Sequence, residues 1–184
     1  MDFSTLETWG YLAIAFFSFG GSLTIVAAAG VFAYLGKIDL TIALIIAIIA
    51  NFLGDNFLFY LGKYHKKDVN SYIKKYRRYL ALTKLIMKKY GVAAIFIQKF
   101  IYGVKTLIPI IMGLGKYDFK KFIIFNFFAS IIFVLTIGLS AYYFSDTIIK
   151  IFDIIKDKPY LAPLFLIVLI AIIWQYFKRF DKKR

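Results

Sequence analysis

The chain has no cysteine, so disulfide bonds and thiolate metal sites are excluded. Histidine is nearly absent as well, since the single His65 lies in a basic stretch between apolar segments. The apolar segments hold no paired carboxylates and no set of nucleophile and base, and nothing in the sequence is typical of a metal site. We therefore expect neither an enzyme nor a bound cofactor.

Acidic residues are scarce: 10 Asp and Glu stand against 24 Lys and Arg, for a formal net charge of +14. The basic residues lie between apolar runs and at the C-terminal end, where the cytoplasmic face of a membrane would place them. We expect no nucleic-acid partner for this reason. The first residues lack the basic region of a cleavable signal, so we expect them to be retained.

Apolar residues are abundant, at 61% of the chain with a mean hydropathy of +0.75, which exceeds what a soluble core of this size would bury. The predicted class is a single all-α integral membrane domain covering residues 1–184. Five apolar stretches occur, at 10–35, 41–62, 91–115, 122–145 and 160–177. A spanning helix needs about 20 residues, so the second, fourth and fifth are predicted to cross the membrane.

The other two stretches are interrupted near their middles. Residues 10–35 contain Gly20-Gly21-Ser22, and residues 91–115 contain Tyr102-Gly103-Val104-Lys105. Each half is about eleven residues, or about 16 Å of helix, which is half a bilayer. Both stretches are therefore predicted to be re-entrant helical hairpins.

The distribution of positive charge supports the second hairpin. Ten Lys or Arg fall between Lys63 and Lys89, which predicts a cytoplasmic location for residues 63–90. If residues 91–115 crossed the membrane fully, the basic groups that follow them and the basic C-terminal tail would lie outside. A hairpin keeps them inside, so we expect a multi-pass protein of the plasma (inner) membrane with a cytoplasmic C-terminus.

Residues 69–90 have apolar side chains at helical spacing between lysines and arginines. This pattern predicts an amphipathic helix in the anionic headgroup layer. The alternative is a basic helical connector with no role in lipid binding.

A short motif occurs twice. Gly36-Lys37-Ile38-Asp39-Leu40 recurs as Gly115-Lys116-Tyr117-Asp118-Phe119, each time after an interrupted stretch and before a spanning one. Two copies entering from opposite faces would form an inverted repeat, as in many transporters. The alternative is a chance agreement between two apolar segments that contain glycine.

Polar residues within the apolar stretches mark a candidate site, because charge and broken backbone at membrane depth need shielding by protein or water. Asp55 is the only acid deep in such a stretch, and Asn51 shares its helix face. Asp55 is expected to pair with Lys99 or Lys105, or to bind a proton. In the alternative, it only holds the second span against a hairpin.

An interruption of the helix at Tyr102-Gly103 would bring the ammonium groups of Lys99 and Lys105 into one cavity. Such a cavity would suit an anionic headgroup such as a phosphate. The alternative is that both lysines extend to the membrane interface. Asn126 and Ser130 share one face of the fourth stretch, where they line the same cavity or bond another helix. The predicted transport site comprises Ser22, Asn51, Asp55, Gln98, Lys99, Tyr102, Gly103, Lys105, Pro109 and Asn126.

The order and spacing of these motifs over residues 15–145 resemble the DedA family of bacterial and archaeal inner-membrane proteins. The matching residues are Gly54-Asp55, Tyr60, Gly62-Lys63, Lys99-Phe100-Ile101-Tyr102-Gly103-Val104-Lys105-Thr106, Pro109, Gly113, Phe122 and Asn126. The resemblance implies two opposed re-entrant hairpins and movement of phospholipid or undecaprenyl phosphate across the bilayer. In some members it implies proton coupling.

The chain also departs from the family pattern. Lys99, Tyr102 and Lys105 stand where the family usually has Arg, Pro and Arg, and Ser22 and Leu23 stand where it has a Glu. Lysine is a point charge that cannot form the forked hydrogen bonds of arginine. These departures imply looser lipid specificity and weaken the case for proton coupling.

The favoured function is a lipid transporter, flippase or scramblase, whose partners are membrane lipids with anionic headgroups. Two alternatives stay open. One is a proton-coupled exporter of a small solute or ion, with Asp55 as the coupling site. The other is a membrane scaffold that does not transport. The sequence leaves open whether the protein forms a homo-oligomer.

Overall fold

The computed structural model describes residues 3–65, 77–101, 105–115, 117–147 and 149–150. Over these residues the chain is helical and contains no strand. The α-helices are α1 (Phe3–Phe19), α2 (Leu23–Tyr34), α3 (Leu40–Tyr64), α4 (Arg77–Tyr90), α5 (Ala94–Ile97), α6 (Leu107–Leu114) and α7 (Phe119–Tyr143). Short 3-10 helices at Gly91–Ala93 and Gln98–Phe100 flank α5.

The chain divides into two compact units, Met1–Tyr143 and Phe144–Arg184. In the second unit, Lys150 Nζ donates a hydrogen bond to Asp146 Oδ2 at 2.6 Å, between two exposed side chains. The predicted span at 160–177 lies outside the described residues. The prediction of a single domain over residues 1–184 stays a prediction.

Helices α3 and α7 are the two described helices that are long and apolar enough to cross a membrane. Each has 25 residues, which corresponds to about 37 Å at about 1.5 Å per residue. Large apolar side chains remain exposed on their surfaces, such as Ile49 (53%) and Ile124 (56%), as expected for helices in contact with lipid. The predicted helical spans at 41–62 and 122–145 are confirmed as membrane-capable helices.

The repeated motif has one local role in both copies. Asp39 Oδ1 accepts a hydrogen bond from the backbone N–H of Ile42 at 2.9 Å, and Asp118 Oδ1 accepts one from that of Lys121 at 3.0 Å. An aspartate in this position satisfies a backbone donor that would otherwise lack a partner in the first turn of a helix. Each copy therefore caps the start of a long apolar helix, α3 in one case and α7 in the other.

Helix α1 runs alongside the first half of α3 in the same direction. The backbone N–H of Asp39 donates to Tyr11 Oη at 2.8 Å at the start of α3. Further along, Asn51 Nδ2 donates to the Ser18 carbonyl at 3.5 Å, and Gly54 abuts the Phe19 carbonyl so closely that a Cβ would overlap it. Helix α2 then returns toward the start of α3 and packs on the second half of α7, so the turn at residues 20–22 lies beside the middle of α3.

Helix α6 covers the second half of α3. Gly62 abuts the Ile110 carbonyl, and Gly113 abuts the Phe59 carbonyl, in both cases too closely for a Cβ. Helix α7 runs antiparallel to α3, because the ring of Phe122 stacks on that of Phe59, whereas Gly138 lies against Leu44. The middle of α3 therefore faces both interruptions and α7.

The second interrupted stretch differs from its prediction. The sequence predicts two helical halves of about eleven residues. The first half instead consists of the 3-10 helix Gly91–Ala93, the four-residue α5 and the 3-10 helix Gln98–Phe100. In the second half, α6 has only eight residues. Gly91 takes a left-handed φ of 52° after α4, and Ile101 is extended with φ −102° and ψ 109°. Each of these conformations ends a helical run.

Of the predicted amphipathic stretch 69–90, the structure describes residues 77–90, and these form α4 (Arg77–Tyr90). The predicted start of this helix near residue 69 lies outside the described residues.

Candidate functional site

The ammonium group of Lys99 is buried at the centre of the helix cluster. It donates hydrogen bonds to Asn51 Oδ1 at 2.7 Å, Asp55 Oδ2 at 2.7 Å and Ser130 Oγ at 3.0 Å. Lys99 is only 2% exposed. Because a lysine ammonium has three donors, every one of them has a protein partner.

This network joins three parts of the chain. Asn51 and Asp55 lie one turn apart on α3, Ser130 belongs to α7, and Lys99 lies on the 3-10 turn after α5. The spacing of four residues puts Asn51 and Asp55 on one helix face. A buried charge that loses its partner costs several kcal/mol, so the ion pair between Asp55 and Lys99 holds the second interrupted stretch against α3.

Lys105 has a different environment. Its Nζ donates to the Gly21 carbonyl at 2.7 Å and lies 3.9 Å from the centre of the Phe133 ring, as in a cation–π contact. Among the described residues, no carboxylate lies within ion-pair distance of Lys105. Within the described part of the chain, Lys105 therefore has no ion-pair partner, whereas Lys99 pairs with Asp55.

A cavity of about 550 Å³ lies where the two interruptions meet. One wall is formed by residues 20–24 and the other by Lys99, Phe100, Ile101, Lys105 and Thr106. Ser22 Oγ and Thr24 Oγ1 share a hydrogen bond of 2.8 Å in the first wall, and α2 begins there at Leu23. The positive end of the α2 dipole and the Lys105 ammonium therefore line the same space.

Gly21 is the point at which the two walls touch. Its φ of +76° belongs to the left-handed region, and a Cβ would lie 2.6 Å from Lys105 Cε. The left-handed φ strains any residue that has a Cβ, and a Cβ here would force the end of the Lys105 side chain to shift. The glycine that marked the first interruption in the sequence is therefore the residue that lets Lys105 reach across.

Of the residues predicted for the site, Ser22, Lys99 and Lys105 line the cavity, and Asn51 and Asp55 bond Lys99. Ser22 caps α2, accepting from the backbone N–H of Ile25 at 3.4 Å. Asn126 is buried, and its Nδ2 donates to the Phe52 carbonyl at 3.2 Å. Pro109 is buried at the third position of α6, where a missing N–H costs no helical hydrogen bond. Tyr102 and Gly103 lie outside the described residues.

Gln98 is placed next to the network but not in it. Its side chain is fully buried, and neither Oε1 nor Nε2 has a hydrogen-bond partner among the described residues. The Oδ1 atom of Asn126 is also buried, with no hydrogen-bond partner in the part of the chain that the structure describes. Buried polar atoms without a partner are rare in folded proteins. Here they lie on Gln98, which directly precedes Lys99, and on Asn126, which precedes Ser130 by one helical turn.

The sequence did not point to Phe133 as a site residue, and Ser130 was left out of the predicted transport site. Phe133 is an aromatic residue in an apolar helix, so nothing in the pattern distinguishes it from residues that pack against lipid or protein. Ser130 shares a helix face with Asn126, and that spacing was the available signal. Its hydroxyl bonds the buried ammonium rather than another helix backbone.

The VTT domain family matches residues 19–143. An uncharacterized membrane protein of Buchnera aphidicola subsp. Schizaphis graminum is 31% identical over 129 residues, which cover 64% of this chain and 51% of the relative. Protein DedA of Escherichia coli K12 is 26% identical over 128 residues, covering 68% of this chain and 58% of the relative.

A third relative carries a functional name. Undecaprenyl phosphate transporter A of Bacillus subtilis is 31% identical over 152 residues, and the match covers 71% of this chain and 74% of the relative. The chain spans about half the length of the first two relatives. No solved structure matches the chain.

Proposed function

Because the chain belongs to the VTT domain family, also called the DedA family, we propose that this membrane protein moves lipids with anionic headgroups between leaflets, as a flippase or scramblase. The observation that carries the proposal is the cavity of about 550 Å³ into which Lys105 brings a positive charge that has no ion-pair partner among the described residues. A relative bears the name undecaprenyl phosphate transporter A, and a phosphate is the group that such a charge would bind.

In this proposal both interrupted segments are re-entrant hairpins related as an inverted repeat. The first enters beside the start of α3 and the second beside its end, and Lys105 bonds Gly21 where their turns meet. That contact lies beside Asn51 and Gly54, near the middle of a helix long enough to span the bilayer. The turns would then meet near the midplane, which is where transporters of this kind bind their substrates.

The two lysines have separate roles in the proposed mechanism. Lys99 is a structural cation, because its donors are occupied by Asn51, Asp55 and Ser130. Lys105 is the cation that meets the headgroup, exchanging its bond to the Gly21 carbonyl for one to a phosphate oxygen. The hydroxyls of Ser22 and Thr24 offer further donors in the same wall. Acyl chains stay in the lipid throughout.

The lysine at position 105 also bears on specificity. An arginine would fix a phosphate through two parallel hydrogen bonds, whereas an ammonium binds it as a point charge. We therefore infer a tolerant site that accepts several phosphate-bearing lipids. The proposed location is the plasma (inner) membrane, with several passes and the basic residues 63–90 and the C-terminus on the cytoplasmic side.

Leaflet exchange in liposomes tests the proposal. Purified protein is reconstituted with a fluorescent phospholipid, and a membrane-impermeant reductant bleaches the label that reaches the outer leaflet. The chain should raise the bleachable fraction above one half, and Lys105→Gln should slow exchange about tenfold, as expected for losing one charged hydrogen bond.

Lys88→Gln is the matched control. Lys88 is an exposed lysine on α4, so this variant removes the same charge at a position outside the cavity. It should exchange lipid at the normal rate. If the chain does not accelerate exchange, or if both variants slow it equally, the proposal is wrong.

A further inference from the structure

A second cavity lies at the end of α3, away from the turns of the interrupted segments. Its volume is about 660 Å³, within the size range of small-molecule sites. Its polar lining comes from Lys63 and Tyr64 at the end of α3, Tyr117 and Asp118 before α7, and Lys120 in the first turn of α7. The transport site proposed above includes none of these residues.

Two lysines bring positive charge to this cavity from different helices. Among the described residues, neither Lys63 nor Lys120 forms an ion pair within 4 Å. Lys63 Nζ lies 5.8 Å from the ring centre of Phe119 and 5.5 Å from that of Tyr64. These cation–π contacts hold the ammonium over the aromatic wall of the cavity without neutralising its charge.

The one carboxylate in the lining is committed to the backbone. Asp118 Oδ1 accepts a hydrogen bond from the backbone N–H of Lys121, and this bond lowers the pKa of Asp118 below its ordinary value of 3.8. The carboxylate therefore stays ionised as a helix cap at neutral pH, and among the described residues it forms no ion pair within 4 Å with Lys63 or Lys120.

The position of the cavity indicates the medium it faces. It lies where α3 ends and α7 begins, and both helices are long and apolar enough to cross a membrane. Their ends therefore fall at a membrane interface, where lysine and tyrosine side chains are favoured. The exposed Lys88 and Lys89 at the end of α4 are not among the residues that line the cavity.

We propose that this cavity binds the phosphate of an anionic phospholipid headgroup at the membrane surface, with Lys63 and Lys120 as the cationic contacts and Tyr64 as a hydroxyl contact. The inference does not rest on transport, because a lipid could be held here whether or not it crosses the bilayer. If both proposals hold, the cavity keeps a lipid headgroup bound at one membrane surface, and the same protein then moves that lipid between leaflets.

A local fluorescence reporter tests the site. Tyr117→Trp is introduced into the full chain, and the native Trp9 and Trp174 are replaced by Phe, so that the signal comes from the cavity. The detergent-purified protein is titrated with short-chain phosphatidic acid, with short-chain phosphatidylcholine, and with inorganic phosphate. Phosphatidic acid should bind at least tenfold more tightly than either of the others.

Variants in this background separate the site from diffuse charge. Lys63→Gln with Lys120→Gln should weaken phosphatidic acid binding about tenfold or more, while Lys88→Gln with Lys89→Gln should change it less than twofold. Lys63→Arg with Lys120→Arg should restore binding, which excludes misfolding as the cause. Lys105→Gln should leave this binding unchanged, so failure here and failure of lipid exchange are distinguishable.

Three results would overturn the inference. The first is equal weakening by the two double Gln variants, which would show a diffuse surface charge. The second is equal affinity for inorganic phosphate and phosphatidic acid, which would show a site without a lipid. The third is the absence of any effect of the Lys63 and Lys120 changes.

Discussion

Removing the carboxylate of Asp55 should destabilise the protein far more than removing the carboxylate and the ammonium of Lys99 together. In Asp55→Leu, Lys99 would keep its charge in a site that is 2% exposed, with only Asn51 and Ser130 as neutral acceptors. An uncompensated buried charge of this kind costs about 3–5 kcal/mol. For a chain of this size that corresponds to a fall in Tm of about 6–20 °C.

The double variant Asp55→Leu with Lys99→Met removes both charges and should lie close to the wild type. Replacing a buried ion pair with apolar residues is often neutral or stabilising by about 1–4 kcal/mol. The acceptors of Asn51 and Ser130 would lose their donor, at a cost of about 1–3 kcal/mol. These two effects nearly cancel.

Thermal unfolding in detergent, followed by near-UV circular dichroism, provides the measurement for all four members of the cycle. The expected result is a strong coupling between the two positions, with the double variant recovering most of the loss caused by Asp55→Leu. If the two single changes simply add, Lys99 does not depend on Asp55, and the structural role given to this pair is refuted.

Two glycine substitutions test the close contacts around the site. Gly21→Ala should abolish most lipid exchange, because a Cβ would lie 2.6 Å from Lys105 Cε at a left-handed φ. The control Gly20→Ala meets only the Phe17 carbonyl at 3.5 Å and should exchange lipid normally. Equal lipid exchange by the two variants would contradict the role of the contact between Gly21 and Lys105. Gly54→Ala should lower Tm by several degrees because its Cβ would overlap the Phe19 carbonyl, while Gly10→Ala makes an ordinary contact at 3.5 Å and should be neutral. A stable Gly54→Ala protein would show that α1 does not pack against α3 as described.

The sequence is sufficient to predict the apolar scaffold of this fold. Helices α3 and α7 appear as long apolar runs, and the repeated Asp39 and Asp118 mark their starts through a local hydrogen bond. Both signals depend on residues close together in the chain. The spacing of Asn51 and Asp55 is local too, which is why their shared face could be predicted.

The remainder of the site depends on contacts between distant segments. The sequence offers Lys99 and Lys105 as equal partners for Asp55, and the choice between them depends on how residues 98–106 fold against α3 and α7. The breaks at Gly91 and Ile101 shorten the helices of the interrupted stretch 91–115, and the hydrophobicity of that stretch does not reveal them. The position of Phe133 under Lys105 likewise has no local signal.

The most direct test of the central claim is whether blocking the cavity stops lipid movement. The chain has no cysteine, so Ser22→Cys introduces a single thiol into the cavity wall, and an anionic methanethiosulfonate reagent can label it in the reconstituted protein. Leaflet exchange by the labelled variant should fall to the rate of protein-free liposomes, while the same reagent leaves the unmodified chain active. Complete labelling with undiminished exchange would show that headgroups cross elsewhere, and would contradict the account.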